Sequence, residues 1–349
     1  MRTRIPTLDG YRAVAILATI ALHAGIAWNA TYIEPLARGV DLFFAISGFL
    51  ITSILVDEEG RTGGISLPDF YIRRVFRIFP PFLTVVAFIL IMGLWVTPME
   101  MISSLFFFRN YYPDFQKDWY TLHFWSLSVE EHFYLLWPAI LAFAGSKRAR
   151  KLALWMALAV GAWRVTNAQF HWTEIAGVLA VIRTDFRLDA LLWGCIFGLL
   201  LGDAPAKIKF TKQMTFGMWI FFAVASVLAS CFYSPLITIL LAMFLALTVA
   251  GTTVHPEWKI SRLLEWKPVR FVGSISYSLY LWQQIFIAPA VDQHGHPWWQ
   301  QFPANLVMTF VAATASYYVI EQPLIRFGRR WASTRKVLRP AYRLSVYGQ

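Results

Sequence analysis

The sequence predicts an all-α fold: a polytopic integral membrane bundle of about ten transmembrane helices. Three observations carry that prediction. Apolar residues make up 58% of the 349-residue chain against 15% charged, and the mean hydropathy is +0.52, outside the usual soluble range. Apolar runs close to the roughly 20 residues that cross a bilayer recur from end to end. They leave no stretch for a separate soluble domain of ordinary size, so residues 1–349 are expected to form one transmembrane domain. Finally, 25 of the 31 Lys and Arg residues fall on one side of the chain once it is threaded through ten spans.

The spans are expected at 11–29, 39–56, 79–97, 126–144, 152–170, 184–202, 214–231, 234–254, 271–290 and 304–322. An even number puts both termini on the same side. By the positive-inside rule that side is the cytoplasm, with a basic tail from about 323 to 349. The net charge of +11 is then a topology signal, and no nucleic-acid partner is implied. Clusters such as "SKRARK" (146–151) and "RFGRRWASTRK" (326–336) suit anionic lipid headgroups. The first span has an acidic residue before it, a histidine within it and no small-x-small site after it, so it is expected to stay as a helix and not to be cleaved. Cys195 and Cys231 fall in or beside apolar spans and are read as packing residues, not a disulfide.

Ionisable residues at membrane depth mark functional sites, because each costs a few kcal/mol or more unless it faces a cavity or partner. In "LDGYRAVAILATIALHAGIAW" (8–28), His23 follows Arg12 by 11 residues. On a helix that is about 16.5 Å of rise and a net rotation of only about 20°. The two share a face, Arg12 at the cytoplasmic boundary and His23 deep in the membrane; a snorkelling arginine and an inter-helix hydrogen bond would explain them equally well. The second span opens "VDLFFAISGFLIT" (40–52), with Asp41 at its start and a Ser47-Gly48 step that allows close approach of a neighbour or ligand.

Ahead of the third span, "FYIRRVFRIFP" (70–80) places Arg73, Arg74 and Arg77 on a cationic ledge suited to phosphates. Pro80 and Pro81 fit the first turn of that span. The fourth, "FWSLSVEEHFYLLWP" (124–138), repeats Ser126, Glu130 and Tyr134 at four-residue spacing with Glu131 beside them, so at least one carboxylate is expected to face the interior. His123, Glu130, Glu131 and His132 lack zinc-motif spacing, and no metal is expected. Arg187 and Asp189 open the sixth span, and Ser276, Tyr277 and Tyr280 enter the ninth.

Taken together and in order, these residues resemble the acyltransferase-3 family of bacterial membrane proteins. The resemblance rests on Arg12-x10-His23, on FFxxSG at Phe43 to Gly48, on Arg73, Arg74 and Arg77, and on SLSxEExFYLxxP from Ser126 to Pro138. "RLDALLWG" (187–194), "SYSLYLW" (276–282) and "EQPL" (321–324) continue it, so it covers nearly the whole chain. It implies a stand-alone form without an appended SGNH-type domain. The implied activity is O-acyl transfer, usually of acetyl, from cytoplasmic acyl-CoA to a hydroxyl of an exported or lipid-linked glycan.

On that reading Arg12, Arg73, Arg74 and Arg77 hold the donor, and His23 is the general base or forms an acyl intermediate. Glu130 orients His23 or binds the sugar. Asp41, Ser47, Ser126, Glu131, Arg187, Asp189, Tyr277 and Tyr280 support the site, with Ser47, Ser126, Tyr277 or backbone amides as oxyanion donors. No permanently bound cofactor is implied. The implied partners are acyl-CoA as donor substrate, a glycan or lipid-linked saccharide acceptor and membrane lipids, with homo-oligomerisation left open; the location is the bacterial cytoplasmic membrane.

Several relatives carry a histidine after "YLW", where this chain has Gln283, which puts proton transfer at that position in doubt. Two other functions fit parts of the pattern: a glycan or lipid-carrier transporter or flippase, and an O-acyltransferase for a small molecule. A transporter of the common kind would show inverted repeats, which the sequence lacks.

Overall fold

The computed structural model describes residues 5–25, 36–112, 119–172, 182–232, 234–288 and 297–337. Among them all regular structure is helical. In chain order the helices are α1 (Pro6–His23), α2 (Gly39–Thr62), α3 (Leu67–Ile91), α4 (Pro98–Leu105), α5 (Phe124–Phe170), α6 (Thr184–Gly202), α7 (Ala204–Gln213), α8 (Phe216–Ser230) and α9 (Pro235–Val254). Then come α10 (Lys259–Leu264), α11 (Lys267–Ser274), α12 (Ser276–Phe286), α13 (Ala304–Ser316), a π-helical turn (Tyr317–Glu321) and α14 (Gln322–Val337).

Each of the ten segments expected to span is mainly helical in its described residues, and the third loses its helix after Ile91. Their boundaries differ in instructive ways. The first helix starts at Pro6 and ends at His23, because Gly25 takes a left-handed φ of 65° that stops the helix. His23 is therefore the last residue of α1; residues 26–29 of the expected span lie outside the described residues. The third helix begins at Leu67, so Pro80 and Pro81 sit in its interior and not in its first turn. They remove two backbone donors there, and Thr84 donates its hydroxyl to the Pro80 carbonyl at 2.9 Å. The fourth and fifth segments form one helix broken at Gly145. The ninth is split at Ile275 into α11 and α12, and its residues 289–290 also lie outside the described residues.

By length and hydropathy alone, Gly39–Thr62, Leu67–Ile91 and Leu236–Val254 are long and apolar enough to cross a membrane. A fourth crossing is formed if α6 and α7, bent by 107°, count as one. The chain is a helical membrane protein, and the full count of ten goes beyond these segments. Of the expected tail, Gln322–Val337 is helical and residues 338–349 lie outside the described residues. Cys195 is buried as expected, but Cys231 is exposed.

The most extensive packing is between α2 and α6, and small residues make it possible. A Cβ at Gly48 would stand 1.9 Å from the Leu191 carbonyl oxygen, and one at Gly194 would stand 2.2 Å from that of Ala45. The Ser47-Gly48 step thus serves a neighbouring helix. It also fixes Ser47 on the adjoining face of α2.

At one end of this pair, Asp41 accepts from Arg187 at 2.8 Å and lies 3.6 Å from Arg38, while Arg187 stacks over Trp125 at 5.4 Å. Asp189 pairs with Arg164 at 2.7 Å. These ion pairs tie α2, α5 and α6 together.

Replacing Gly48 by Val should lower the melting temperature of the purified protein, since overpacking costs about 1–3 kcal/mol or more. Gly60→Ala on the same helix meets nothing within 4 Å and should leave it unchanged or slightly raised.

Candidate active site

Four helices, α1, α2, α3 and α5, converge with α12 on a narrow cavity of about 80 Å³. Arg12 comes from α1, Ser47 from α2, Arg74 and Arg77 from α3, Ser126, Glu130 and Tyr134 from α5, and Ser276, Tyr277 and Tyr280 from α12. The four-residue spacing in α5 does what helical geometry requires, setting Ser126, Glu130 and Tyr134 on one face.

The Glu130 carboxylate is held from two sides. Ser47 donates to Oε1 at 2.7 Å and Tyr134 to Oε2 at 3.1 Å. Arg74 lies 4.2 Å from the centre of the Tyr134 ring and faces both Glu130 and Glu131. Glu130 is thus positioned by Ser47 and Tyr134, and its hydrogen bonds go to them and not to His23, which it was expected to orient. Tyr277 donates to the Ile78 carbonyl at 2.9 Å, in the stretch of α3 adjoining the prolines.

Below this cavity lies a larger vestibule of about 560 Å³. Arg12 and Arg77 line both spaces. Asp9, 3.7 Å from Arg12, lines the vestibule, as do Arg329 and Glu321. Glu321 is the last residue of the π-helical turn; it accepts from Ser278 at 3.0 Å and faces Arg77 and Arg12. A π-turn shifts side-chain register within a helix and is common at functional sites.

Above the cavity a polar chain continues. Ser126 and Tyr280 share a hydrogen bond of 2.5 Å, and Tyr280 donates to the His123 carbonyl at 2.6 Å. The His123 ring bonds through Nδ1 to the Gln284 amide oxygen, which also accepts from the His123 backbone at 3.1 Å. His23 lies beyond, edge-on to Trp119 at 5.7 Å and close to His123. Its Nδ1 has no hydrogen-bond partner. The Gln283 amide approaches His23, yet neither of its polar atoms reaches hydrogen-bond geometry, so the approach is a contact and not a bond.

The expected residues therefore divide. Arg12, Ser47, Arg74, Arg77, Ser126, Glu130, Tyr277 and Tyr280 surround one cavity, and Glu131 faces Arg74 beside it. Arg73 turns away to pair with Glu58 at 3.4 Å, which splits the three-arginine ledge. Asp41, Arg187 and Asp189 are committed to the helix-tying ion pairs described above. Trp119, His123, Gln284 and Glu321 were given no role by sequence reasoning, and Arg329 stood only in a cluster expected to meet lipid headgroups. The first three meet His23 or its neighbours through contacts between distant parts of the chain. Glu321 stood in the quoted "EQPL", but only the π-turn shows where it points. Among the described residues, no group of three His, Cys, Asp or Glu could hold a metal ion.

The sequence profile of a family described as "Acyltransferase domain" matches residues 5–321. A putative peptidoglycan O-acetyltransferase, YrhL, of Bacillus subtilis is 32% identical over 95% of this chain and 56% of its own length. The peptidoglycan O-acetyltransferase OatA of Listeria monocytogenes is 29% identical over 94% of this chain and 57% of its own. The O-acetyltransferase OatA of Staphylococcus aureus is 28% identical, with 93% and 58% covered. The chain thus spans a little over half the length of these relatives. No solved structure matches it. With the family profile running through every helix that lines the cavity, the chain belongs to the acyltransferase domain family.

Proposed function

We propose that this chain is an integral membrane O-acetyltransferase that takes an acetyl group from cytoplasmic acetyl-CoA and places it on a hydroxyl of a cell-envelope glycan. The observation that carries the reading is one polar path with two unlike ends. At one end is an arginine-lined vestibule, in the middle a narrow cavity, and at the other end a histidine with a free ring nitrogen. The curated relatives, two of them named for peptidoglycan, point to a cell-wall glycan as acceptor.

The sizes fit the parts of the donor. The vestibule lies within the roughly 300–1,000 Å³ range of small-molecule sites and has room for the nucleotide end. Guanidiniums at its mouth, Arg12 and Arg77, suit the diphosphate because they offer paired donors to phosphate oxygens. The cavity above admits only something thin, such as an extended pantetheine arm. The thioester would then reach the level of Ser126 and Tyr280.

The acceptor hydroxyl approaches from the opposite face, where His23 lies. Its oxygen attacks the thioester carbonyl carbon while the His23 imidazole takes its proton. The carbon–sulfur bond breaks, and the CoA thiolate leaves toward the vestibule, protonated in turn by the imidazolium. The Ser126 hydroxyl supplies a donor where the oxyanion develops. Tyr277 and Tyr280 do not fit that role, since their hydroxyls are committed to the carbonyls of Ile78 and His123. Glu130, fixed by Ser47 and Tyr134, offsets the charge of Arg74 beside the arm.

This reading places ten spans in the bacterial cytoplasmic membrane with both termini inside. Reporter fusions after Gly64 and after Thr97 should then report opposite sides; the same side from both would remove the proposed topology.

Loss of the gene should remove O-acetyl groups from envelope glycan analysed by mass spectrometry, and unchanged acetylation would reject the assigned acceptor. In turnover assays His23→Asn should lower kcat by roughly 100-fold or more, with acetyl-CoA binding by calorimetry unchanged. Arg12→Ala should instead raise the donor KM and recover turnover at high acetyl-CoA. Near-normal turnover by a folded His23→Asn protein would end the case for this base.

A further inference from the structure

Resting on the donor reading above, we propose that a second basic pocket beside the vestibule is a phosphomonoester site that takes the ribose 3′-phosphate of CoA. The pocket measures about 250 Å³ and is lined by Glu58, Arg61 and Thr62 of α2, Arg73 of α3, and Arg329 and Ser333 of α14. Three guanidiniums stand against one carboxylate in its lining, an excess of positive groups that suits a phosphate dianion.

The pocket is organised and not a chance cluster of surface arginines. Glu58 is 3% exposed and anchors one edge: its carboxylate lies 3.4 Å from Arg73 and accepts from the Ser66 amide at 3.4 Å. The Thr62 hydroxyl closes onto the Glu58 carbonyl at 2.8 Å. Arg73 is thereby directed into the pocket, away from the inner cavity that Arg74 and Arg77 line. Arg61 is paired with Asp57 at 2.8 Å, but both side chains are about half exposed, and such a surface pair contributes little that would oppose a second anion.

The connection to the donor site comes from shared residues. Arg329 lines this pocket and the vestibule alike. Arg73 and Arg77 stand one turn apart on α3, about 6 Å along its axis, one facing each space. An anion held at Arg77 therefore has a second anion site a short step away. CoA has that arrangement of charges, with its 3′-phosphomonoester one ribose from the diphosphate. Arg73 and Arg77 of α3 thus serve two different phosphate groups, and the 3′-phosphate pocket selects CoA over donors that lack this group.

The same pocket chemistry would accept the phosphomonoester headgroup of phosphatidic acid from the adjoining leaflet, so the test separates the two sources. Binding of CoA and of 3′-dephospho-CoA is measured by calorimetry on the full chain in phosphatidylcholine nanodiscs. The unmodified protein should bind CoA roughly 10-fold or more tightly, the scale of one charge-assisted contact. In the Arg61→Gln/Ser333→Ala double variant, whose two residues line this pocket and not the vestibule, CoA should weaken to the dephospho-CoA level while dephospho-CoA affinity stays constant, which also shows that the variant is folded.

Equal affinities in the unmodified protein, or a preference that survives in the double variant, would overturn the assignment while leaving the donor reading intact. Binding of neither compound would remove both. If adding phosphatidic acid to the nanodiscs weakens CoA and dephospho-CoA alike, with no preference between them, the pocket belongs to lipid.

Discussion

The structure is organised by the cost of keeping guanidinium and carboxylate groups inside an apolar bundle. Arg12, Arg74 and Arg77 come within electrostatic reach of one another, an arrangement that stands only because acidic and aromatic groups surround it. Glu130 and Glu131 face Arg74, the Tyr134 ring lies under it, Asp9 sits beside Arg12, and Glu321 faces Arg77. These counter-groups come from three separate parts of the chain, α1, α5 and the π-turn. Holding them within reach sets where α1, α3, α5 and the π-turn must meet. The reciprocal glycine contacts of α2 and α6 then let Ser47 close the set by reaching Glu130.

Departures from regular helix occur where that arrangement needs them. The break at Ile275 lets α12 begin beside the cavity with Ser276 and Tyr277 in its first turn. The π-turn brings Glu321 to Ser278. Pro80 and Pro81 interrupt backbone bonding in α3 within a turn of Arg77, and Tyr277 supplies a hydroxyl to that stretch. Local irregularity in these helices therefore sits at the polar path, where a buried polar group or carbonyl can find a partner.

Much of this was legible in sequence because membrane burial makes polar residues conspicuous. Arg12, Arg74, Arg77, Ser47, Ser126 and Glu130 stood out against apolar surroundings, and the period of α5 put its three polar residues on one face. Less visible was anything decided by contact across the bundle. Arg73 looks like Arg74 and Arg77 in sequence, yet its partner Glu58 comes from another helix and draws it to a different pocket. Asp41, Arg187 and Asp189 look equally suited to a site but are paired between helices, Asp41 with Arg187 and Asp189 with Arg164. His123 stood one residue before the quoted motif, and only its nearness to His23 and Gln284 gives it a place. The end of α1 at His23 depended on the backbone of Gly25, which hydropathy does not register.

The central claim is that donor and acceptor enter one path from opposite faces of the membrane. Vesicles containing the purified protein in a single orientation test it directly, with labelled acetyl-CoA supplied only at the basic face and a membrane-impermeant glycan acceptor only at the other. The account predicts label on the acceptor across the sealed bilayer, and none when acetyl-CoA is supplied on the acceptor's side alone. Acetylation that occurs only when both substrates share one side would contradict it.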